Sequence, residues 1–125
     1  MGIYIYHKDN GYSASYNAFN LLRKRVCATM GLDWEIMTGN ALKDPDKKSE
    51  AYKAAWSHAA GHVVYPLLNH SDCSGWWGHR QCENIAGGLD ELMKHWPNDR
   101  TKEVGLGIKC ICEEASKKKC RVRIS

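Results

Sequence analysis

Apolar residues recur along this chain at spacings that predict four helices and two strands. Apolar side chains three or four residues apart predict helices over residues 16–30, 50–64 and 79–96 and around 101–115. β-Branched and aromatic residues at 3–6 and an alternating pattern at 120–124 predict a short strand near each end. Pairing these two strands in one small sheet gives a mostly helical α+β fold.

Polar and turn-forming residues set the boundaries of these elements. Ser13 or Ser15 is suited to cap the first helix, and Pro66 closes or kinks the second. The polar stretch 38–49 contains Pro and Gly, which predicts a mobile loop. No repeat divides the chain, so residues 1–125 are expected to form a single domain.

The composition is that of a folded globular protein. Hydrophobic residues make up 43% and charged residues 26% of the 125 positions, which excludes general disorder. No apolar run is long enough to cross a bilayer, and the first residues lack the pattern of a signal peptide. These features predict a cytoplasmic protein without a membrane partner.

The six cysteines are expected to be reduced, because a reducing cytosol disfavours disulfides. Three of them fall on apolar helix faces, where Cys acts as a small core residue. A disulfide between Cys73 and Cys82 stays open, since it depends on their distance in the fold.

The net charge of +4 is concentrated in two basic clusters. One comprises residues 117–119 with Arg121 and Arg123, and the other residues 23–25. Such clusters could hold an anion, although a solvated face is the favoured interpretation. Acidic residues at 83, 90, 91, 113 and 114 interrupt any continuous basic stripe, which argues against nucleic acid as a partner.

Residues 70–75 form the segment with the most concentrated chemistry. It supplies His70, Ser71, Asp72 and Ser74 between two apolar segments, a position where binding groups are often found. Cys73 would need His70 or His79 as a base to act as a nucleophile. The neighbouring Asp raises a thiol pKa, so a half-buried Cys73 packed against Cys82 is favoured.

Two further segments are candidate parts of a ligand site. The start of the first helix, with Ser13, Ser15, Tyr16 and Asn17, is a natural place for an anion, and Arg23 follows on the same helix.

The adjacent Trp76 and Trp77 point in different directions, so one of them could stack on a base while the other is buried. The alternative, with both rings buried, stays equally open. Arg80 follows them and could bind a phosphate.

A metal site and a glycine pair are also suggested by spacing. His58 and His62 are four residues apart in the second predicted helix, a metal-ligand spacing without the Glu of a zinc hydrolase. We expect no cofactor, and zinc at this pair is the less favoured alternative. Gly87 and Gly88 weaken the third helix, which suggests close approach of another backbone or a ligand.

Two motifs together resemble a known family. They are Ser-Ala-Ser-Tyr-Asn-Ala-Phe at 13–19 and Tyr-Pro-Leu-Leu-Asn-His-Ser-Asp-Cys-Ser-Gly at 65–75. The chain thereby resembles a family of small uncharacterised bacteriophage and actinobacterial proteins, except that Ser74 replaces a usually acidic residue. The resemblance implies an accessory phage protein acting in the host cytoplasm, by analogy one that counters bacterial immunity.

Three hypotheses follow, of which binding is preferred because no complete triad or metal-ligand set can be identified. The first is a non-enzymatic binder of a small anion, such as a sponge for a nucleotide-derived immune signal. The second is a hydrolase that uses His70, Asp72 and Cys73, with or without a metal. The third is an inhibitor that binds a host enzyme through aromatic residues. A homo-oligomer is left open.

Overall fold

The computed structural model describes residues 2–8, 10–38, 50–69 and 75–125. The strands of this part are β1 (Gly2–His7), β2 (Asn10–Ser15), β3 (Trp76–Trp77) and β4 (Val122–Ile124). The helices are α1 (Tyr16–Thr29), α2 (Trp34–Thr38), α3 (Glu50–Ala60), α4 (Tyr65–Asn69), α5 (His79–Leu92) and α6 (Arg100–Lys117), with a 3₁₀ turn at Met93–His95. The predicted α+β, mostly helical fold is confirmed.

The four strands form one antiparallel sheet in the order β2-β1-β4-β3. The two predicted strands are its central pair, with Ile5 opposite Ile124 and Tyr6 opposite Arg123. β2 and β3 were not predicted, and they occupy the two edges. β2 runs back along β1 after Lys8, whose φ of 39° reverses the chain.

The sheet buries one face against the helices and exposes the other. Ile3, Ile5, Val122 and Ile124 point inwards and are almost fully buried. Residues between them in sequence point outwards, because side chains alternate along a strand. Every other position on β1, β3 and β4 therefore belongs to a solvent-facing surface.

Three long helices complete the core behind the sheet. α1, α5 and α6 pack on one another and on the inner sheet face through buried apolar stripes. Cys27, Cys82 and Cys112 lie in these stripes and are buried free thiols, which confirms their predicted role as core residues.

The predicted end of the second helix is wrong. The helix ends at Ala60 rather than near residue 64, and a separate short helix begins at Tyr65. Pro66 lies in the first turn of that new helix, where its missing N–H would be unpaired in any residue. Pro66 therefore begins a helix instead of closing one.

The glycine pair of α5 divides into two different roles. A Cβ on Gly88 would overlap the Val64 side chain and crowd that of Val63, whereas a Cβ on Gly87 would meet nothing within 4 Å. The expected close approach is therefore present at Gly88, and side chains rather than backbone make it.

The predicted loop at 38–49 falls almost wholly outside the described residues. Thr38 is the last residue of α2, and 39–49 are not described. Among the helices of the described ranges, none has the length and apolar character needed to cross a membrane.

Candidate functional site

Aromatic and basic side chains share the exposed face of the sheet. We call this surface the outer sheet face and define it by Tyr4, Tyr6, Trp76, Arg121 and Arg123. Tyr4 and Trp76 each keep 46% of their surface exposed, although both are large apolar residues. Exposed aromatic rings beside cationic groups are a common means of binding ligands with planar rings and negative charge.

The strand register aligns three of these side chains in one row. Trp76 on β3 is opposite Arg123 on β4, and Arg123 is opposite Tyr6 on β1. Directly opposed side chains lie close enough to contact one another. A single base or sugar could therefore contact the ring of Trp76 and the guanidinium of Arg123 together.

Two guanidinium groups contact the Trp76 ring. The Cζ atom of Arg121 lies 4.4 Å from the ring centroid, and that of Arg123 lies 5.4 Å from it. Cation–π attraction favours both contacts and holds the charges at the edge of the sheet. Both arginines are exposed, so their N–H donors remain accessible to an anion.

A recess of about 330 Å³ opens beside this ring. Trp76, Arg121 and Arg123 line it together with Lys8 and His7. Its volume is at the lower end of the range for small-molecule sites. Three of these five residues carry permanent positive charge, so the recess is suited to an anion.

His7 is a buried polar residue on the inner side of β1, next to this recess. Its side chain is 1% exposed, and neither ring nitrogen has a hydrogen-bond partner among the described residues. Nε2 lies 3.9 Å from a carboxylate oxygen of Glu114. The imidazole therefore faces Glu114 behind the sheet, and the recess beside Trp76 depends on its three cationic side chains.

Glu114 is held in place behind the sheet by other partners. Asn10 donates a hydrogen bond to its carboxylate, and the Lys118 ammonium lies 3.2 Å away. Lys118, then Asn10 and the nearby His7, hold the pKa of Glu114 below its usual value. The carboxylate is thus ionised at neutral pH, and its charge is neutralised chiefly by Lys118.

Tyr4 and Tyr6 form a second aromatic surface on the same face. Their ring centroids are 4.9 Å apart, with an angle of 23° between the planes. A Cβ on Gly11, opposite Tyr6 in β2, would overlap the Tyr4 ring. The absence of a side chain at Gly11 therefore allows Tyr4 to fold over β2 and stack on Tyr6.

The structure agrees with the interpretation in which one ring of the tryptophan pair is exposed and the other is buried. Trp76 is exposed, whereas Trp77 is fully buried in the core. Trp77 therefore cannot contact a ligand, which corrects its place among the candidate site residues. Arg80 lies exposed on the first turn of α5.

The start of α1 forms a cap as expected, but only part of it faces a recess. Ser15 Oγ accepts a hydrogen bond from the Ala18 N–H at 3.0 Å. Ser13 and Ser15 also line a shallow recess with Tyr4 and Arg100. Tyr16 packs against the core and Asn17 is exposed on α1.

Arg23 does not belong to this recess, contrary to the prediction. It is 6% exposed, donates to the Leu67 carbonyl at 3.1 Å, and lies over the Phe19 ring at 4.2 Å. The helix turns this side chain towards α4 and Trp34 instead of the sheet. Arg23 therefore lines a different cleft, of about 540 Å³, with Trp56 and Tyr65.

The segment with the most concentrated chemistry lies outside the described residues. These residues are His70, Ser71, Asp72, Cys73 and Ser74. In sequence they lead directly into β3, the strand that carries Trp76. Their roles in the candidate site stay predictions.

The metal site suggested by the sequence assumes that His58 and His62 lie on one helix, and the structure does not place them so. His58 lies near the end of α3, but His62 follows after the helix has ended, and His62 Nδ1 accepts from the Val64 N–H at 3.2 Å. The two imidazoles therefore do not lie on successive turns of one helix. Within the described ranges, no group of three His, Cys, Asp or Glu residues is placed to hold a metal ion.

The groove between α5 and α6 is less suited to a ligand. It encloses about 280 Å³, and one of its two lysines, Lys109, is already paired with Asp90 at 3.1 Å and Glu113 at 3.8 Å. These partners raise the pKa of Lys109. Lys109 is thus neutralised by carboxylates of the groove, whereas no ion pair joins Arg121 or Arg123 to a carboxylate of the described residues.

Comparison with protein-family models, with curated proteins and with solved structures finds no match for this chain. The resemblance to the phage and actinobacterial family therefore stays a prediction. The geometry of the outer sheet face is therefore the basis for a functional assignment.

The sequence suggested part of this face. The sequence indicates a basic cluster at Arg121 and Arg123 and a stacking residue at Trp76. It contains no signal that these residues lie side by side. Tyr4 and Tyr6 were assigned only to a strand. The alternation of Val122, Arg123 and Ile124 indicated that Arg123 points away from the core, and this signal was available.

Proposed function

We propose that this protein binds a nucleotide on its outer sheet face, with the base against Trp76 and the phosphate at Arg121 and Arg123. The observation that carries the proposal is the contact of both guanidinium groups with one exposed indole. A nucleotide combines the two features this arrangement suits, a flat ring and a negative charge.

The proposal keeps the ligand class expected from the sequence but changes the residues that bind it. Lys8 adds a third positive charge to the recess, and the four strands contain no Asp or Glu. Binding a nucleotide without turnover is consistent with sequestration of a nucleotide-derived immune signal. That phage role is the one the resemblance implies, and it remains part of the proposal.

Isothermal titration with AMP, GMP, CMP and UMP tests the proposal. We expect binding of at least one of them, and a loss of about 5- to 150-fold in affinity for Trp76→Ala, since one stacked base contributes about 1–3 kcal/mol. Trp76→Phe should retain most of the affinity, because it keeps an aromatic face.

The matched control is Leu106→Ala, which removes an equally exposed apolar side chain on α6. It should bind as the unaltered protein does. Equal binding by Trp76→Ala and the unaltered protein, or binding of inorganic phosphate as tightly as of the nucleotides, would contradict the proposal.

A further inference from the structure

We infer that the outer sheet face holds a single-stranded oligonucleotide, with one base on Trp76 and a following base on the Tyr4–Tyr6 pair. This inference rests on the proposed nucleotide site and specifies the class of its ligand. It adds a second aromatic surface to the first.

The spacing of the two aromatic surfaces suits two bases. Trp76 and Tyr6 belong to the same cross-strand row, with the strand of Arg123 between them. Neighbouring strands are about 4.8 Å apart, so the two rings lie on strands separated by about 10 Å. One base stacked on Trp76 leaves the tyrosine pair uncovered, and a second nucleotide can occupy it.

Positive charge follows the same line across the sheet. Arg123 lies between the two aromatic surfaces, and Lys8 and Arg121 line the recess beside Trp76. At the other end, Tyr4 lines a recess of about 530 Å³ that includes Arg100 and Ser13. Arg100 is paired with Glu103 at 3.6 Å, so a phosphodiester chain running from Trp76 towards Tyr4 meets its cationic groups at the Trp76 end and in the middle, and hydroxyl groups at the Tyr4 end.

The acidic residues that argued against nucleic acid do not lie on this surface. Those at 83, 90, 91 and 113 belong to α5 and α6, which pack on the inner face of the sheet. Glu114 is directed to Asn10, Lys118 and His7. The fold thus separates charges that alternate in sequence, and the outer sheet face is left basic.

The geometry favours a single strand over a duplex. Aromatic rings on an open sheet bind bases by stacking on their faces, which are covered by neighbouring pairs in a double helix. Stacking also tolerates any base, so we expect weak sequence preference. A duplex could use only the basic groups of this face.

Fluorescence anisotropy with labelled hexauridylate, competed by UMP, tests the inference. We expect the hexanucleotide to bind at least about tenfold more tightly than UMP, because a second base is stacked. Tyr4→Ala should weaken hexauridylate binding by about fivefold or more while leaving UMP binding unchanged. Tyr4→Phe should restore hexauridylate binding, and Leu106→Ala is the matched control.

The outcomes separate this inference from the proposed function. Equal affinities for hexauridylate and UMP, with UMP binding still lost in Trp76→Ala, would overturn the oligonucleotide inference. They would leave the proposed nucleotide site intact. Preference for a duplex of the same length also overturns the inference. Binding of neither probe overturns the oligonucleotide inference, and it overturns the proposed function as well if AMP, GMP and CMP also fail to bind. Binding unaffected by Trp76→Ala overturns both proposals.

Discussion

Arg121 lies over the ring of Trp76, with its Cζ atom 4.4 Å from the ring centroid. Trp76 nevertheless keeps 46% of its surface exposed. The guanidinium is therefore in contact with the ring, and nearly half of the Trp76 surface is still exposed, before any ligand arrives. A side chain that is ordered in advance loses less conformational freedom on binding, so this contact favours affinity as well as charge complementarity.

The first prediction concerns the salt dependence of oligonucleotide binding. Each phosphate neutralised on a single strand contributes about −0.7 to the slope of log K against log salt. Arg123→Ala should therefore reduce the magnitude of that slope by about 0.7. Anisotropy titrations of hexauridylate between about 50 and 200 mM salt measure it.

Lys53→Ala is the control for this slope, since Lys53 is exposed on α3, away from the sheet. It should leave the slope unchanged. An identical slope for Arg123→Ala and the unaltered protein would show that Arg123 contacts no phosphate.

The second prediction compares the two adjacent glycines of α5. Gly87→Ala should raise the free energy of unfolding by up to about 1 kcal/mol, because Ala favours a helix and its Cβ meets nothing. Gly88→Ala should lower it by about 1–3 kcal/mol, because its Cβ would overlap Val64. Urea unfolding of both variants measures the difference, and a stabilising Gly88→Ala would show that Val64 can move aside at no cost.

The third prediction concerns the link between α1 and α6. Asp99 accepts two hydrogen bonds of 2.8 Å from Arg25 and also caps α6 by accepting from the Lys102 N–H. The Arg25 bond, followed by the Lys102 bond, lowers the pKa of Asp99 from 3.8 to about 2. Asp99→Ala should therefore lower the melting temperature at neutral pH.

The pH dependence of this effect follows from the direction of the shift. A carboxyl with a lower pKa in the folded state stabilises the protein above its unfolded pKa, and this stabilisation is lost as the pH falls through the folded value. The difference in melting temperature between the unaltered protein and Asp99→Ala should shrink from pH 4 towards pH 2. A difference that stays constant over that range would contradict the assignment.

The fourth prediction concerns the reactivity of the thiols. Burial raises the pKa of Cys27 to about 12, and the hydrogen bond that the Cys112 thiol donates to Cys82, together with burial, raises the pKa of Cys112. Cys110 is exposed on α6. Brief iodoacetamide treatment of the native protein should therefore label Cys110 well before Cys27 or Cys112, because the thiolate is the reactive form.

Peptide mass spectrometry identifies the labelled residues. In urea the order should disappear, because burial no longer protects the two core thiols. Early labelling of Cys27 in the native protein would show that α1 opens locally at its buried face.

The elements with a regular apolar stripe could be predicted from the sequence. α1, α5 and α6 each have apolar residues three or four positions apart, and all three appear close to their expected places. β2 lacked such a signal, because it is an edge strand in which only Ala14 is buried. β3 has two residues and exists only because Trp76 and Trp77 pair with distant Arg123 and Val122.

The candidate site was recognised only in fragments for the same reason. A helix start, a tryptophan and a basic cluster are local patterns, and each was visible in the sequence. Their arrangement depends on pairings between residues more than forty positions apart, as between Trp76 and Arg123. For Arg23, the helix could be predicted from the sequence, but the direction of the side chain could not. That direction depends on where Leu67 and Trp34 pack.

The position of β4 makes the outer sheet face a late product of folding. β4 is the last strand in chain order, yet it lies between β1 and β3 and joins them. Until residues 122–124 reach residues 5–6, the nascent chain displays Tyr4 and Tyr6 without Trp76 or Arg123 beside them. Such long-range pairing is slow, so the proposed binding surface is incomplete on a polypeptide that is still being synthesised and forms only when the sheet closes.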